Sequence, residues 1–387
     1  MKQFCPHPHF VKQGLLYLED EDVLYLHNAK SGCSTVKAGL IQARSPSMGI
    51  DLPEELNAQI VHGNWGGWSV DTGLVSPKTT FAFTVVRNPY TRLLSAYLDK
   101  IARPGILREQ FLYSAGLPSG TELSFEQFVR YLNVADGLLD QHWRPQVANV
   151  FAGQLHINQI HYLEGFSDSK AELEHGLGFD VDFATRDSHG TSARSKLDKY
   201  YTDETRDAVL KIYEDDFRVF NYSRDIADAE ACPPGPMSLA HDGSGAYRLL
   251  SMLSNRTRPT IAQLQESDDL SFAERAIAGL VLARKELGKL GIEFQSFADP
   301  ALEGTPAERY LALSVLERAP ADARGELSLE EILRRLSFLA PYFLSSWFKL
   351  VRHLIEADKH EEARSELARL EICTWRQNQI RELREKL

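Results

Sequence analysis

Residues 80–101, TFAFTVVRNPYTRLLSAYLDKI, change structural period at a single point, and that point constrains the fold more than any other. TFAFTVV (80–86) is a short apolar run of β-branched and aromatic residues, the pattern of a strand buried on both faces. From Asn88 the period becomes helical, with Tyr90, Leu93, Leu94, Tyr97 and Ile101 on one face. Asn88 suits the N-cap and Pro89 the first helical position, where a missing N–H costs nothing. A buried strand that turns directly into a helix is the unit of a layered α/β domain with a mainly parallel sheet.

The same arrangement occurs earlier. GLLYL and VLYLH, separated by the acidic turn EDED, predict a hairpin over 14–27. Its second strand runs into NAKSGCST, and a helical pattern with Val36, Leu40 and Ile41 on its apolar side follows. Backbone N–H groups at a helix N-terminus favour an anion. Lys30 adds a full charge, Ser31, Ser34 and Thr35 add hydroxyl donors, and Gly32 permits close approach. The P-loop pattern G-x-x-x-x-G-K-[ST] is absent, and such a loop also serves as an ordinary capped turn. Arg87, where the later strand ends, has the fork geometry that grips a phosphate, and Ser95 lies two turns into the helix after it. Alone, the first reads as a surface cation and the second as a packing residue. Together the two loops describe a ligand with two anionic ends, a 5′-phosphate at the first and a 3′-phosphate at the second, beyond the carboxyl ends of the strands.

Further elements follow: a short helix in 52–63, a helix after the capping box Ser124/Gln127, a strand in 159–166 and a capped helix in 202–220. The stretch 228–247, rich in Pro, Gly and Ser, reads as a linker or loop. Beyond it the pattern is helical, with starts at Ser271/Glu274, Thr305-Pro306 and Ser328/Glu331, and a final helix pair broken near EADK that is weakly tetratricopeptide-like. The expected organisation is a domain over 1–225, a linker over 226–248 and a helical region over 249–387, suited to dimerisation or a protein partner.

A net charge of −11 argues against a general nucleic-acid binder but leaves room for a small basic pocket. Four scattered cysteines, Cys5, Cys33, Cys232 and Cys373, form no paired motif, which fits a reducing compartment, and no zinc or other metal ligand set stands out. No signal-peptide core is evident, and no stretch reaches the roughly 18 uninterrupted apolar residues of a membrane span. The chain reads as cytoplasmic.

NAKSGCSTVK resembles the 5′-phosphosulfate loop of sulfotransferases, and FTVVRNPYTRLLSAYLDK resembles their 3′-phosphate strand and helix. SFEQFVRYL, DQHWRPQ, YLEGF and YYTDETRDAVLKIYEDDFRVFNY follow in the order typical of carbohydrate sulfotransferases of the chondroitin type and their bacterial relatives. The resemblance spans about residues 14–222; the C-terminal part of the chain has no counterpart in it. It implies a P-loop-like three-layer α/β domain followed by an all-helical C-terminal region. It also implies 3′-phosphoadenosine 5′-phosphosulfate as donor, no metal, and a hydroxyl acceptor (an amine less so), carbohydrate or glycolipid. Lys30 would stabilise the leaving phosphate, Ser31, Gly32, Cys33, Ser34 and Thr35 would hold the 5′-phosphate, and Arg87 and Ser95 the 3′-phosphate. Arg194 and Lys196 lie where the family has a loop that closes on the nucleotide. Ala29 departs from the common form, which has Pro before the Lys. A hydroxyl must lose a proton as it attacks sulfur, which calls for a base. His62 in IVHGNWGGW is the first choice and His142 in DQHWRPQ the second, while His27 at the strand end suits a structural hydrogen bond. A nucleotide kinase would explain the first loop but not the Arg87–Ser95 element, and a non-catalytic binding protein would keep both. Trp65, Trp68 and Trp143 suit either a sugar face or the core.

Overall fold

In a computed structural model the described residues are 4–53, 56, 58–63, 65–69, 71–183, 192–235, 237–241, 244–254, 256–266 and 270–387. Parts of the 52–63 helix and the residues just before Ser192 lie outside them. By contact, the chain divides into two units. One comprises Pro6–Ser95 and Gln141–Pro259; the other comprises residues 4–5, Ala96–Asp140 and Thr260–Leu387.

The first unit is built on a five-stranded sheet in the order β1 (Leu15–Leu18), β2 (Val23–Leu26), β3 (Phe81–Val86), β4 (Ile157–Tyr162), β5 (Met237–Leu239). The three central strands are parallel, with Tyr25 opposite Phe83 and Phe83 opposite Gln159, and both edge strands are antiparallel. The hairpin falls where the apolar runs place it. Its turn is fastened by Asp22, which adopts a left-handed conformation (φ 52°) and accepts hydrogen bonds from Tyr17 and Thr80. β5 lies inside the stretch expected to be a linker. Met-Ser-Leu carries no strand signal of its own; it is ordered by pairing with Ile157 and Ile160.

α1 (Pro8–Gly14) precedes the hairpin, α2 (Cys33–Arg44) and α3 (Ala58–His62) join β2 to β3, and α4 (Pro89–Ala96) leaves β3. Asn88 caps α4, its side-chain oxygen accepting from the Tyr90 N–H at 3.0 Å. Tyr25, Phe83 and Val85 share one sheet face and bury against Val36, Leu40 and Ile41 of α2 and against the helix Phe166–Leu177. Tyr25 and Phe83 stack with centroids 5.2 Å apart.

The described elements of the second unit are helical. The capping boxes at Ser124, Ser271 and Thr305 start the helices Phe125–Val134, Phe272–Val281 and Pro306–Glu317, and Ser328 caps Leu329–Leu339. The final pair is Ser345–Glu356 and His360–Ile372, around the fully buried Trp347. The division therefore differs from the contiguous one expected: residues 96–140 group with the C-terminal helices. That grouping depends on tertiary packing, which local periodicity does not encode. No helix of the described residues is long and apolar enough to cross a membrane.

Candidate active site at the carboxyl edge of the sheet

Because β2, β3 and β4 are parallel, their C-terminal ends open on one edge. The first exit, His27–Gly32, leads into α2. Lys30 (φ 68°) and Gly32 (φ 75°) are both left-handed and flank Ser31. Such alternation turns successive N–H groups toward one concavity, an anion nest. A lysine in this conformation costs roughly 1–2 kcal/mol, the kind of strain that collects at functional sites. Gly32 is needed twice over, for its φ and because a Cβ there would lie 2.9 Å from Leu163 Cδ1. No side chain caps α2 and no acid lies in its first turn, so its leading N–H groups remain available to an anion.

The second exit, Arg87-Asn88, is tied to the first by one residue. Gln146, fully buried, opens the short helix Gln146–Asn149. Its Oε1 accepts from Asn28 Nδ2 (2.8 Å), Ser31 Oγ (3.2 Å) and the Arg87 N–H (2.9 Å), while its Nε2 donates to the Arg87 carbonyl (2.7 Å). One amide thus brackets both loops. Asp216 supports it from below, accepting from the Gln146 and Val147 N–H groups at 2.8 and 2.9 Å. Burial pushes the Asp216 carboxyl up to about 6, with Arg92 and these N–H groups opposing. Arg92, 1% exposed, spends its guanidinium on three carbonyls, Ala29, Arg144 and Gln141, at 2.8–2.9 Å.

Arg87 is half-buried at the junction. Its Nε donates to Thr91 Oγ1 (3.0 Å) and its Nη1 to the Lys30 carbonyl (3.2 Å). Burial draws its guanidinium down to about 10, and the Glu164 carboxylate holds it up. Glu164 comes from the third exit and accepts from the Asn88 N–H (2.9 Å) and Tyr222 OH (3.1 Å). Its own acidity is weakened by burial. Ser95, 3% exposed, lies seven residues beyond Asn88, about 10 Å along the α4 axis.

Three histidines gather beside the first loop. His62, exposed at the end of α3, lies with Nε2 2.8 Å from Ser34 Oγ in the first turn of α2. His27 is buried, its Nδ1 3.2 Å from the Gln13 carbonyl. His142, half-buried beside Trp143, acts electrostatically on His27, as does His62.

A model described as "Sulfotransferase family" matches residues 13–223, more than half of the chain. The chain belongs to the sulfotransferase family. It is similar to carbohydrate sulfotransferase 10 of Pongo abelii, Homo sapiens and Rattus norvegicus, at 26% identity over 38% of this chain and 48% of each relative. The chain thus spans about half the length of the curated relatives it matches. No solved structure matches it.

Within this member of the family the anticipated residues divide. Lys30, Ser31, Gly32, Cys33, Ser34, Thr35, Arg87 and His62 lie at or against the two joined loops. Arg194 lies within electrostatic reach of Arg87, but its guanidinium is taken up by Glu230, through the carboxylate at 2.7 Å and the carbonyl at 2.8 Å. Lys196 is half-exposed in the same turn. Trp65 and Trp143 are core residues, while Trp68 is half-buried with its ring edge-on to Trp65. Gln146, Arg92, Asp216, Glu164 and Asn28 were not anticipated. All five stand in quoted segments (DQHWRPQ, FTVVRNPYTRLLSAYLDK, YYTDETRDAVLKIYEDDFRVFNY, YLEGF and NAKSGCSTVK), so the motifs marked their neighbourhoods without revealing their roles.

Proposed function

We propose that this sulfotransferase moves a sulfuryl group from 3′-phosphoadenosine 5′-phosphosulfate to a hydroxyl of a carbohydrate by in-line displacement, on a P-loop-like domain. The observation that carries this reading is the Gln146 bracket, which holds an uncapped helix N-terminus and a half-buried arginine side by side at one sheet edge. These residues suit a nucleotide with two anionic ends: Lys30, the loop N–H groups including that of Ser31 (whose hydroxyl is spent on Gln146) and the hydroxyls of Ser34 and Thr35 at the 5′ end, Arg87 and Ser95 at the 3′ end. The donor supplies an activated sulfur–oxygen bond. Lys30 neutralises charge on the phosphate oxygen as that bond breaks. His62, bonded to Ser34, and His142 are the histidines anticipated for the acceptor side. The acceptor class rests on the names of the relatives.

Calorimetry with 3′,5′-bisphosphoadenosine tests the reading, and absence of binding at high micromolar concentration refutes it. Arg87→Lys keeps the charge but loses the fork that reaches Thr91 and Lys30. Its affinity for the nucleotide should fall about 10- to 100-fold.

A further inference from the structure

Two hydroxyls of the first loop are already engaged, Ser31 with Gln146 in the interior and Ser34 with His62 at the surface. Ser34 is the second residue of α2, half-buried among the leading N–H groups of that uncapped helix. His62, exposed at the end of α3, holds its Nε2 2.8 Å from Ser34 Oγ. Both side chains are open to solvent at the wall of the nest that Lys30 and Gly32 form.

Hydrogen counting decides how this pair meets an anion. A serine hydroxyl has one hydrogen. If Oγ donates it to Nε2, only oxygen lone pairs face the loop, and an arriving phosphate oxygen is repelled. If Nε2 donates, Oγ accepts, and its own hydrogen is free to turn to the phosphate. An anion in the loop therefore selects the arrangement with a proton on Nε2. An imidazolium serves better than the neutral ring, because it sets a positive charge about 5 Å from the phosphate oxygen, two hydrogen-bond lengths bridged by Oγ. The titratable groups beside His62 are His27 at the end of β2 and, flanking Ser34 on α2, Cys33 and Lys37. His27 stays neutral, since burial first, then Lys37 and His62, pull it well below the ordinary imidazole value of 6.5. Lys37 opposes the imidazolium, but burial lowers its own basicity, and it is one charge against a phosphate dianion across Oγ.

We propose that His62 is a positioning residue of the donor site: as the nucleotide binds, His62 takes a proton from solvent, donates through Nε2 to Ser34 Oγ, and so turns the serine hydrogen onto the 5′-phosphate. This rests on the sulfuryl-transfer reading above. Binding makes and breaks no bond of the ligand; one proton moves from solvent to the imidazole. While the nucleotide is held, Nε2 carries its own proton, so the acceptor's proton goes to another atom. The 5′-phosphate gains charge as its bond to sulfur breaks, and the aligned hydroxyl and imidazolium favour that departure.

The test uses the full chain and 3′,5′-bisphosphoadenosine. Calorimetry at about pH 7.5 in buffers of different ionisation enthalpy counts the protons taken up on binding. An imidazole of ordinary value, about 6.5, is about one-tenth charged at that pH. A phosphate at this range raises the value by about one to two units, which leaves the ring about half to nine-tenths charged. The parent should therefore take up about 0.4–0.8 proton more than His62→Gln, whose amide still donates to Ser34 but cannot titrate. The ligand's phosphates, with a second pKa near 6, are almost fully ionised there and are common to every measurement. His62→Gln should match the parent's affinity at about pH 9 and bind about 10-fold more weakly, or worse, at about pH 6. Ser34→Ala removes the relay; it should melt like the parent and lose most of the extra uptake. A bond that serves structure alone predicts equal uptake in the parent and His62→Gln, and that result overturns the assignment. Full parental uptake in Ser34→Ala overturns it as well, because His62 would then sense the anion without the serine. A parent that binds no nucleotide refutes the underlying function and this role with it, whereas binding without the extra uptake refutes this role alone.

Discussion

Gln146→Glu changes one atom type at the centre of the site, and its effect can be worked out bond by bond. The carboxylate keeps the accepting side, facing Asn28 Nδ2, Ser31 Oγ and the Arg87 N–H. The other oxygen then meets the Arg87 carbonyl, which the amide Nε2 approaches to 2.7 Å. Two oxygens at that distance repel unless the acid holds a proton there. Its folded pKa must rise above the ordinary glutamate value of about 4.3. A rise of about two to three units, at about 1.4 kcal/mol each, predicts a loss of about 3–4 kcal/mol at pH 8. The sign follows from proton counting. Between the unfolded value and the raised folded value the native state binds the extra proton, so stability falls as pH rises through that window. Below about pH 5 most of the loss should return, since the protonated acid donates to the Arg87 carbonyl. Urea unfolding of parent and variant at both pH values measures the difference, and the parent's own titration cancels to first order. A variant as stable as the parent at pH 8, or equally destabilised at both values, would falsify the bracket.

Arg92→Met should cost about 3 kcal/mol or more in urea unfolding, since three buried carbonyls lose their donor, and Arg92→Lys should recover only part of it. Asp216 has its folded pKa raised from 3.8 to about 6, so its contribution is fully present below 3.8 and is lost as pH rises to about 6. Asp216→Asn should remove that pH dependence and still lower stability at pH 5, because one of the Gln146 and Val147 N–H groups meets an amide NH2; an unchanged pH slope in the variant would refute the attribution.

What could be read from the chain beforehand was what its neighbours in sequence determine. Asn88-Pro89, Ser124 with Gln127, Ser271 with Glu274 and Thr305-Pro306 start their helices where their chemistry places them. The apolar runs that became β2 and β3 had a local signature as well. β5 had none, because three residues of mixed polarity become a strand only when β4 offers its edge. Residues 96–140 gave no hint that they would group with helices beyond residue 260. In the site, charges and glycines were visible: Lys30, Gly32 and Arg87 stand at strand ends. Gln146 was not, since an isolated glutamine has no pattern and its bond to Asn28 spans 118 positions. His27 was half visible. Its structural hydrogen bond could be anticipated, but not that the Gln13 carbonyl would be the partner.

The chemistry of the bracket also explains how a chain of net charge −11 can offer a site to a doubly anionic ligand. The groups that join the two loops are neutral amides: Asn28, Gln146, and Asn149, whose Nδ2 donates to Asn28 Oδ1 at 3.2 Å. An ion pair could have fastened the same loops, but its carboxylate would have stood among the N–H groups that receive the phosphate. Amides hold both sides together and leave the local field to Lys30, Arg87 and the helix N-terminus. Of the two supporting acids, Asp216 is set one layer back, where it satisfies the N–H groups of Gln146 and Val147 and faces Arg92, and Glu164 stands on the Arg87 side, accepting from the Asn88 N–H. On this argument the penalty of Gln146→Glu should be larger for nucleotide affinity than for Gln146→Leu at pH 8. The leucine removes the bracket, whereas the glutamate removes part of it and adds the wrong charge. Equal losses of 3′,5′-bisphosphoadenosine binding in the two variants would show that the bracket's neutrality has no electrostatic purpose.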